Sequence, residues 1–274
     1  MKLRECLLII FLMLAPDASA DSICVATYNL NWSNRRGDEV LAASEASKAD
    51  VLLLQETTEQ SEDFLRRHLA KPHPHFHSIG NGGRFAGERF AFASKYVLAD
   101  VKFTPPSAGL FGFYTATLRH PSALIRVVNA HLTPFRIKRG SGIREAMSMI
   151  SQTERSHEME INTIMDSIDC QSPTSVAGDF NSISSFCAPK RLAELGLIDS
   201  FASVHHDADM HVTWIWPTRP LPLRLRIDYI FHTPHFTAAE SRIIRRDGSD
   251  HSLVVSKLEF EAADNASVEA SGIR

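Results

Sequence analysis

The segment at residues 176–182 carries the residue types and spacing most suggestive of chemistry. An apolar run stops at Gly178, and a carboxylate and a carboxamide follow two residues apart, at Asp179 and Asn181. Side chains two apart on a strand lie on the same face, so both would point the same way if the strand continues. Glycine lets the backbone turn or approach a ligand closely. Because the same residues are common in solvated turns, the segment alone predicts either a turn or the edge of a site.

Four further segments have the same character, an apolar, strand-like run next to an Asn, Glu, His or Asp. They are residues 27–31, 52–57, 129–134 and the C-terminal pair 226–231 and 248–252. The polar side chains that these segments offer are Asn29, Glu56, His131, Asp228, Asp250 and His251. We therefore expect a composite site, in which groups far apart in the sequence meet at one place.

Two carboxylates in these segments need a reason for their position. Glu56 follows the run 51–54, which is apolar throughout, as expected of a strand covered on both faces. It could simply lie in water, but carboxylate oxygens are also the ligands that Mg²⁺ takes. Asp228 is the only charge in its run, and an unpaired buried carboxylate is costly. His251 is its natural partner, because an Asp-His pair fixes the tautomer and raises the basicity of the other ring nitrogen.

Hydrophobic patterning predicts the elements that must position these groups. Strands are predicted at residues 23–28, 51–54, 87–92, 115–118, 124–130, 175–177, 227–231 and 253–260. Helices are predicted at residues 38–48, 59–69, 143–168 and 190–195.

Several residues able to do chemistry have a plainer interpretation. His157 falls on the apolar side of the longest predicted helix and is read as core. The histidines at 73, 75 and 77 alternate with prolines, which favours a surface loop over a metal site. Trp214 and Trp216 could stack on a base or a lipid, but core packing is the more common role.

Composition and the termini set the domain organisation. Of the 274 residues, 44% are hydrophobic and 22% charged, which is typical of a globular enzyme rather than a disordered or fibrous chain. Residues 1–20 have basic residues, a short apolar run and a small-residue cleavage site, which predicts a signal peptide. The alternative, an uncleaved anchor, would need about 20 apolar residues. We expect one catalytic domain at 21–261, a flexible tail at 262–274 and a secreted or periplasmic location.

The formal net charge of −3 excludes a globally basic protein, so contacts to phosphate would need local positive charge. Residues 136–139, which begin with Arg136 directly after the His131 motif, are either such a phosphate contact or a solvated loop. The mature chain would keep Cys24, Cys170 and Cys187. In an oxidising compartment the simplest arrangement is one disulfide and one buried thiol. Cys170 and Cys187 bracket the Gly178 strand and could clamp its loop.

The motifs in this order resemble those of the endonuclease/exonuclease/phosphatase superfamily, which includes DNase I and the exonuclease III-type repair endonucleases. The resemblance covers nearly all of the mature chain. It implies an α/β fold, a four-layer α-β-β-α sandwich with two mainly antiparallel sheets flanked by helices, as in DNase I. It places the site at one edge, where the strand-end loops meet, and implies Mg²⁺ as cofactor, with Mn²⁺ as an alternative ion.

The resemblance also implies roles for individual residues. The expected metal ligands are Glu56, as the principal one, and Asp250. The expected phosphate-binding residues are Asn29, Asn181 and Arg136. The expected catalytic residues are His131, Asp179, Asn181, Asp228 and His251, with Glu88 in support of His131.

Within that set, Asp179 would position and deprotonate the attacking water. His251, tuned by Asp228, would polarise the phosphate or shuttle the proton. His131 would contact the phosphate from its other side or protonate the leaving group.

Three functions remain open from the sequence. The first is a secreted Mg²⁺-dependent phosphodiesterase, a nuclease with DNA or RNA as substrate, acting as a monomer. The second is a lipid or small-molecule phosphodiesterase or phosphatase of the same fold, similar to a sphingomyelinase or an inositol phosphatase. The third is a binding module that kept the fold and lost the chemistry, which the presence of Glu56, Asp179 and His251 argues against.

Overall fold

The computed structural model describes residues 21–80, 88–136, 140, 142–217 and 221–261. The predicted signal peptide at 1–20 and the predicted tail at 262–274 lie outside the described residues, as do residues 137–139 of the basic cluster. No helix within the described ranges is both long and apolar enough to span a bilayer.

The order of the elements is that of an α/β chain. The strands are β1 (Asp21–Asn29), β2 (Val51–Gln55), β3 (His75–Ile79), β4 (Phe90–Ser94), β5 (Leu98–Thr104), β6 (Phe113–His120), β7 (Ala123–His131), β8 (Thr174–Asp179), β9 (Ile198–Asp199), β10 (Trp214–Trp216), β11 (Leu223–Leu225), β12 (Asp228–His232), β13 (Phe236–Ile244) and β14 (Leu253–Phe260). The α-helices are α1 (Gly37–Ser47), α2 (Glu59–His68), α3 (Ile143–Asp166), α4 (Cys187–Glu194) and α5 (Ser200–Val204).

Two six-stranded sheets form the centre of the fold, together with a short β10-β11 hairpin. The first sheet has the order β13-β14-β1-β2-β4-β3, and the second has the order β5-β6-β7-β8-β12-β9. Within the sheets, the pairs β1-β2 and β7-β8 are parallel and the other strand pairs are antiparallel. The expected pair of mainly antiparallel sheets is confirmed.

Three apolar clusters hold the layers together. The largest lies between the sheets, with Val25 and Phe92 from the first sheet and Ile125 from the second. A second cluster packs α1 and α2 on the outer face of the first sheet, and a third packs α3 and α4 on the outer face of the second. Each sheet is therefore covered on both faces, which explains why β2 is apolar from Val51 to Leu54 and buried at all five positions.

The two parallel pairs bring four predicted site residues to the same end of the sandwich. Asn29 ends β1 opposite Gln55, the last residue of β2, and Glu56 follows at once. His131 ends β7 opposite Asp179, the last residue of β8. Asp179 is also paired with the first residue of β12, Asp228. The carboxyl ends of parallel strands meet at one edge of a sheet, so the topology itself assembles these groups.

The histidine-proline segment differs from its interpretation as a surface loop. His75 and His77 lie in β3, which pairs with β4 as an edge strand. His73 is buried, and its Nε2 donates to the carbonyl of Ala49 at 2.9 Å. The segment is therefore structural. Prolines 72 and 74 obscured the strand because proline is depleted in strand interiors, and here they precede it.

The expected disulfide is absent among the described residues, in which Cys24, Cys170 and Cys187 are all free and partly buried. The backbone N–H of Cys187 donates to Glu154 on α3, whereas Cys170 follows the end of that helix at Asp166. The expected clamp between Cys170 and Cys187 is therefore not formed.

Candidate active site

Asp179 lies at the centre of the groups that the strand ends bring together. Its side chain is buried, and its Oδ2 accepts a hydrogen bond from Asn29 Nδ2 at 2.9 Å. The same oxygen lies 3.5 Å from His131 Nε2 and 3.7 Å from His251 Nε2. Both distances exceed an ordinary hydrogen bond, so the two imidazoles face the carboxylate across a narrow gap.

Glu56 joins this cluster through Asn29. The amide nitrogen of Asn29 that donates to Asp179 also donates to Glu56 Oε1 at 3.2 Å. The other carboxylate oxygen accepts from the backbone N–H of Trp32 at 3.2 Å, and His131 Nε2 lies 3.8 Å from Oε1. Residues from the ends of β1, β2, β7 and β8 thus meet around one centre, although 150 positions separate Asn29 from Asp179.

Asp228 and His251 form the predicted pair. His251 Nδ1 lies 3.0 Å and 3.1 Å from the two carboxylate oxygens of Asp228, and both side chains are buried. A carboxylate can only accept, so Nδ1 carries the proton and Nε2 is directed at Asp179. Thr213 helps to hold Asp228 in position, because its hydroxyl accepts a hydrogen bond from the backbone N–H of Asp228 at 3.1 Å.

Asp250 reaches the centre through a second asparagine. Its Oδ1 accepts from Asn31 Nδ2 at 2.8 Å, and its Oδ2 accepts from the indole N–H of Trp214 at 2.9 Å. Asn31 is tied in turn to Asn29, whose Oδ1 accepts from the Asn31 backbone N–H at 2.9 Å. The two predicted metal ligands, Glu56 and Asp250, are therefore linked by a short chain of amide hydrogen bonds.

His131 is fixed by packing as well as by its position on β7. Its ring stacks on Phe111 with centroids 4.0 Å apart and planes 9° apart, and the edge of Phe90 faces it at 6.4 Å. Aromatic contacts of this kind hold a ring in one orientation. Glu88 is buried just before β4, and its pairing with His131 stays a prediction.

The turn after β8 departs from the strand geometry that would have placed Asp179 and Asn181 on one face. Strand β8 ends at Asp179, and Asn181 has φ +47°. The two residues are instead joined locally, because the Asn181 backbone N–H donates to Asp179 Oδ1 at 2.9 Å. The side-chain amide of Asn181 donates to the carbonyl of Leu132 at 2.9 Å, which ties this turn to the loop after His131. Its expected role in phosphate binding stays a prediction.

Gly178 is required by a close approach between strands. A Cβ at this position would collide with the carbonyl of Ala130 on the neighbouring β7. The absence of a side chain therefore allows β7 and β8 to carry His131 and Asp179 side by side. The sequence predicted a turn or a close approach to a ligand at Gly178, whereas the close approach is to a strand.

Burial and neighbouring charges shift the pKa values of three site residues. Burial raises the pKa of the Glu56 and Asp179 carboxyls, although hydrogen bonds from Asn29 oppose the rise in both. Burial would lower the pKa of His251, but the adjacent carboxylates of Asp228 and Asp179 outweigh it and raise the pKa. The imidazolium form of His251 is thus favoured between two acids.

The donor set fits a divalent cation. Asn29 bonds to the carboxylates of Glu56 and Asp179, Asn31 links Asp250 to Asn29, and hard cations such as Mg²⁺ take oxygen ligands. Among the described residues, the ion-pair partners of Glu56 and Asp179 are histidines, and neither carboxylate pairs with an arginine or lysine. That Glu56 and Asp250 hold the ion stays a prediction.

Arg136 is exposed on the loop after β7. It lines an open groove of about 340 Å³ between this loop and α3, together with Thr133 and Gln152. This groove differs from the buried cluster around Asp179, and a phosphate contact by Arg136 stays a prediction.

Some contributors to the site were not recognised from the sequence. Asn31 lies in the segment 27–31 described above, but its hydrogen bond to Asp250 depends on a backbone at φ +56°. Asparagine can adopt this conformation, but its presence in the sequence does not predict it. Trp214, interpreted as core, is only partly buried and holds Asp250. Below the site, Gln55 Nε2 donates to Asn129 Oδ1 at 2.7 Å and joins the two sheets. Gln55 precedes Glu56 directly and Asn129 lies two residues before His131, and this proximity was the available signal.

Comparisons with known proteins give the family and the fold of the chain. A family model described as the endonuclease/exonuclease/phosphatase family matches residues 26–251. An endonuclease/exonuclease/phosphatase from Beutenbergia cavernae superposes with a TM-score of 0.67 at 19% identity, covering 87% of this chain and 72% of that one. Comparison with curated protein sequences finds no match.

Two further solved structures hold DNA. TDP2 of D. rerio, complexed with a single-strand DNA product, superposes with a TM-score of 0.66 at 14% identity, covering 86% of this chain and 98% of that one. The 3′ phosphatase NExo from Neisseria, bound to a product DNA hairpin, has a TM-score of 0.58 at 19% identity, covering 85% and 98%. At these identities the two structures bear on the fold alone.

The family model spans all the strand ends that build the cluster, from β1 to His251. The cluster contains the buried Asp179, Asp228 and His251 group expected of an active site. The chain belongs to the endonuclease/exonuclease/phosphatase family and is a metal-dependent phosphoester hydrolase.

Proposed function

We propose that this protein is a secreted, Mg²⁺-dependent phosphodiesterase that hydrolyses nucleic acid. The observation that carries the choice of substrate is a groove of about 380 Å³ that begins at Glu56. Trp32, Arg35 and Arg67 line it, so it joins an aromatic ring and two cations to a predicted metal ligand. Binding of single-stranded nucleic acid combines positive charge along the backbone with aromatic stacking of bases.

The aromatic ring in this groove is available to a ligand. Trp32 is 49% exposed, and its backbone N–H donates to Glu56. A second exposed ring, Trp216, stacks on Trp214 with centroids 5.8 Å apart, and Trp214 is bonded to Asp250. A tryptophan therefore contacts each of the two predicted metal ligands, Trp32 through its backbone N–H and Trp214 through its indole. Stacking on such rings tolerates every base, because every base has a π-face.

The residues of the cluster suit hydrolysis by water. A bound divalent ion would neutralise charge on the phosphate oxygens. Asp179 is the base that orients and deprotonates the attacking water, because its Oδ2 faces the open centre between two imidazoles. His251, held as imidazolium by Asp228, donates to a phosphate oxygen from Nε2. His131 approaches the same centre from the Phe111 side and assists the leaving oxygen.

Two further observations support nucleic acid as the substrate and a location outside the cytoplasm. The D. rerio and Neisseria relatives described above hold DNA products in their structures. The first twenty residues have the composition of a secretory signal, which supports release from the cytoplasm.

A lipid phosphodiesterase is the second candidate, because exposed tryptophans such as Trp32 and Trp216 also suit a lipid surface. The deciding experiment incubates the mature protein with Mg²⁺, Mn²⁺ or EDTA and five substrates. These are plasmid DNA, RNA, a single-stranded oligonucleotide, sphingomyelin and bis-p-nitrophenyl phosphate. We expect EDTA-sensitive cleavage of nucleic acid. Preferential cleavage of sphingomyelin would select the lipid enzyme, and no hydrolysis at all would select a binding module.

A matched pair of variants tests the groove. Trp32→Ala should raise KM for the oligonucleotide by roughly five- to a hundredfold, since stacking is worth about 1–3 kcal/mol per base. The same variant should leave KM for bis-p-nitrophenyl phosphate unchanged, because that substrate does not reach the groove. Trp32→Phe keeps a ring and should retain most of the affinity. An equal rise in KM for both substrates would show that Trp32 acts through Glu56 rather than by stacking on a nucleobase.

A further inference from the structure

A second cluster of metal-ligating side chains lies on the segment between α5 and β10. His205, Asp207 and His211 each offer one ligand atom, and these atoms lie within 4.8 Å of one another. None of the three belongs to the active site. Two histidines and one carboxylate form a donor set used for zinc in proteins, with a fourth position left for water or another ligand.

His205 is already oriented as a ligand would be. Its Nε2 lies 2.7 Å from the carbonyl oxygen of Ser241 on β13, and a carbonyl can only accept, so this nitrogen carries the proton. The lone pair of the neutral ring is therefore on Nδ1. Its ring also stacks on the buried Phe201 with centroids 4.2 Å apart, which fixes its plane. A histidine ligand held by a backbone carbonyl through its second nitrogen is a recurring feature of metal sites.

The other two groups are at a distance suited to a shared ion. His211 Nε2 lies 3.2 Å from Asp207 Oδ1, one helical turn away in sequence. Tetrahedral zinc with bonds of about 2.0 Å separates its ligands by about 3.3 Å, so this pair needs little movement. The edge of Phe201 faces the His211 ring at 5.1 Å. The same buried ring thus positions both imidazoles.

The neighbouring acidic residue is held away from the cluster. Asp209 lies 3.4 Å from Arg226, and its other oxygen accepts from Ser184 at 2.8 Å. Asp207 is exposed. Among the described residues, its side chain hydrogen-bonds only to His211. The carboxylate available to a cation is therefore Asp207, and it supplies the negative charge that two neutral imidazoles lack.

We propose that His205, Asp207 and His211 bind one transition-metal ion, with Zn²⁺ as the best match. Two imidazoles favour zinc and similar ions over Mg²⁺, which takes oxygen ligands. His205 and Asp207 line a groove of about 490 Å³ together with Lys190 and Met210. Binding ties the α5-β10 segment to β13 and stabilises the fold without entering the reaction at Asp179.

The test titrates the full mature protein with ZnCl2 in saturating Mg²⁺, which occupies the oxygen-rich active site. Wild type should bind one equivalent of Zn²⁺, and His211→Gln and Asp207→Asn should each weaken it at least about tenfold. The matched control is His206→Gln, since His206 is exposed beside the cluster and supplies no ligand. It should bind as wild type does.

Co²⁺ gives an independent readout, because a tetrahedral site with two imidazoles absorbs visible light far more strongly than an octahedral oxygen site. The absorption should appear in wild type and in His206→Gln and be lost in His211→Gln. His205→Gln also breaks the contact to Ser241, so a failure of that variant to fold leaves His211→Gln as the deciding one. Equal Zn²⁺ affinity in wild type and His211→Gln, or no saturable binding in wild type, would overturn the proposal and leave an ordinary His211-Asp207 ion pair.

Discussion

The pH dependence of stability should report the buried carboxyl of Glu160 on α3. This side chain is 7% exposed and accepts from the Thr133 hydroxyl at 2.9 Å and from the Thr133 backbone N–H at 3.3 Å. Burial raises its pKa from 4.5 to about 7, against the opposing effect of these hydrogen bonds. Thr133 lies two residues after His131, so Glu160 supports the loop that leaves the active site.

The direction in which stability changes with pH follows from which state, folded or unfolded, holds the proton. Between pH 4.5 and about 7 the folded protein keeps Glu160 protonated while the unfolded chain has lost the proton. Stability therefore falls as pH rises through this interval. A shift of about 2.5 pKa units at 1.36 kcal/mol each amounts to about 3 kcal/mol. Above pH 7 the penalty is fully present, and below pH 4.5 it is absent.

Glu160→Gln removes the ionisation and isolates this effect. Its amide accepts one of the two Thr133 bonds and loses the other, a cost of about 1 kcal/mol that does not change with pH. The variant should therefore be less stable than wild type at pH 4.5 and more stable at pH 8. His157 also contacts Thr133, and burial lowers its pKa, but it is common to both proteins and cancels in the difference.

Urea unfolding at half-unit pH steps measures the difference in free energy of unfolding between the two proteins. The reasoning would be refuted by a difference that stays constant from pH 4.5 to 8. A difference of opposite slope would mean that the hydrogen bonds from Thr133 dominate over burial. Gln152→Glu on the exposed face of the same helix is the control, since an exposed carboxylate there should add no comparable slope.

Three other outcomes follow from the site. Glu56→Gln and His251→Ala should each lower turnover of bis-p-nitrophenyl phosphate by orders of magnitude with the circular dichroism spectrum unchanged, and a rate like that of wild type in either would contradict the assignment. Asp228→Asn removes the carboxylate 3.0 Å from His251 Nδ1 and should reduce kcat about 10²- to 10⁴-fold with a smaller change in KM. Gly178→Ala should lose at least about 3 kcal/mol of stability in urea, because its Cβ meets the Ala130 carbonyl, whereas Gly142→Ala, with open space around it, should not.

The interior of both sheets could be predicted from the sequence. All eight interior strands coincide with a predicted strand, and the four edge strands β13, β3, β5 and β9 were missed. Interior strands have partners on both sides and layers on both faces, so they are continuous apolar runs such as β2. Edge strands face solvent, and β13 has only two buried residues, Phe236 and Ser241, with a bulge between Ala238 and Glu240. Hydrophobic patterning identifies the first kind and not the second.

The membership of the site was predictable, whereas its local geometry was not. Asn29, Glu56, Asp179 and His251 converge as expected, because each follows or precedes an interior strand. The turn at Asn181 could not be derived in the same way. Its conformation depends on an Asp179 carboxylate that accepts a local backbone N–H, and strand alternation contains no information about such a bond.

Backbone conformations and buried charges that reduce stability are concentrated around Asp179, where the chemistry is expected. Within the described part of the chain, three of the five non-glycine residues with positive φ are Asn31, Glu56 and Asn181, which all lie beside Asp179 or bond to its partners. Left-handed backbone and buried carboxylates each cost free energy, and such costs persist only where the surrounding structure imposes them. Here the two covered sheets impose them. A divalent ion would stabilise the folded protein, because it would compensate carboxylates that the fold has already gathered. The same residues that reduce the stability of the metal-free protein are therefore those that prepare its active site.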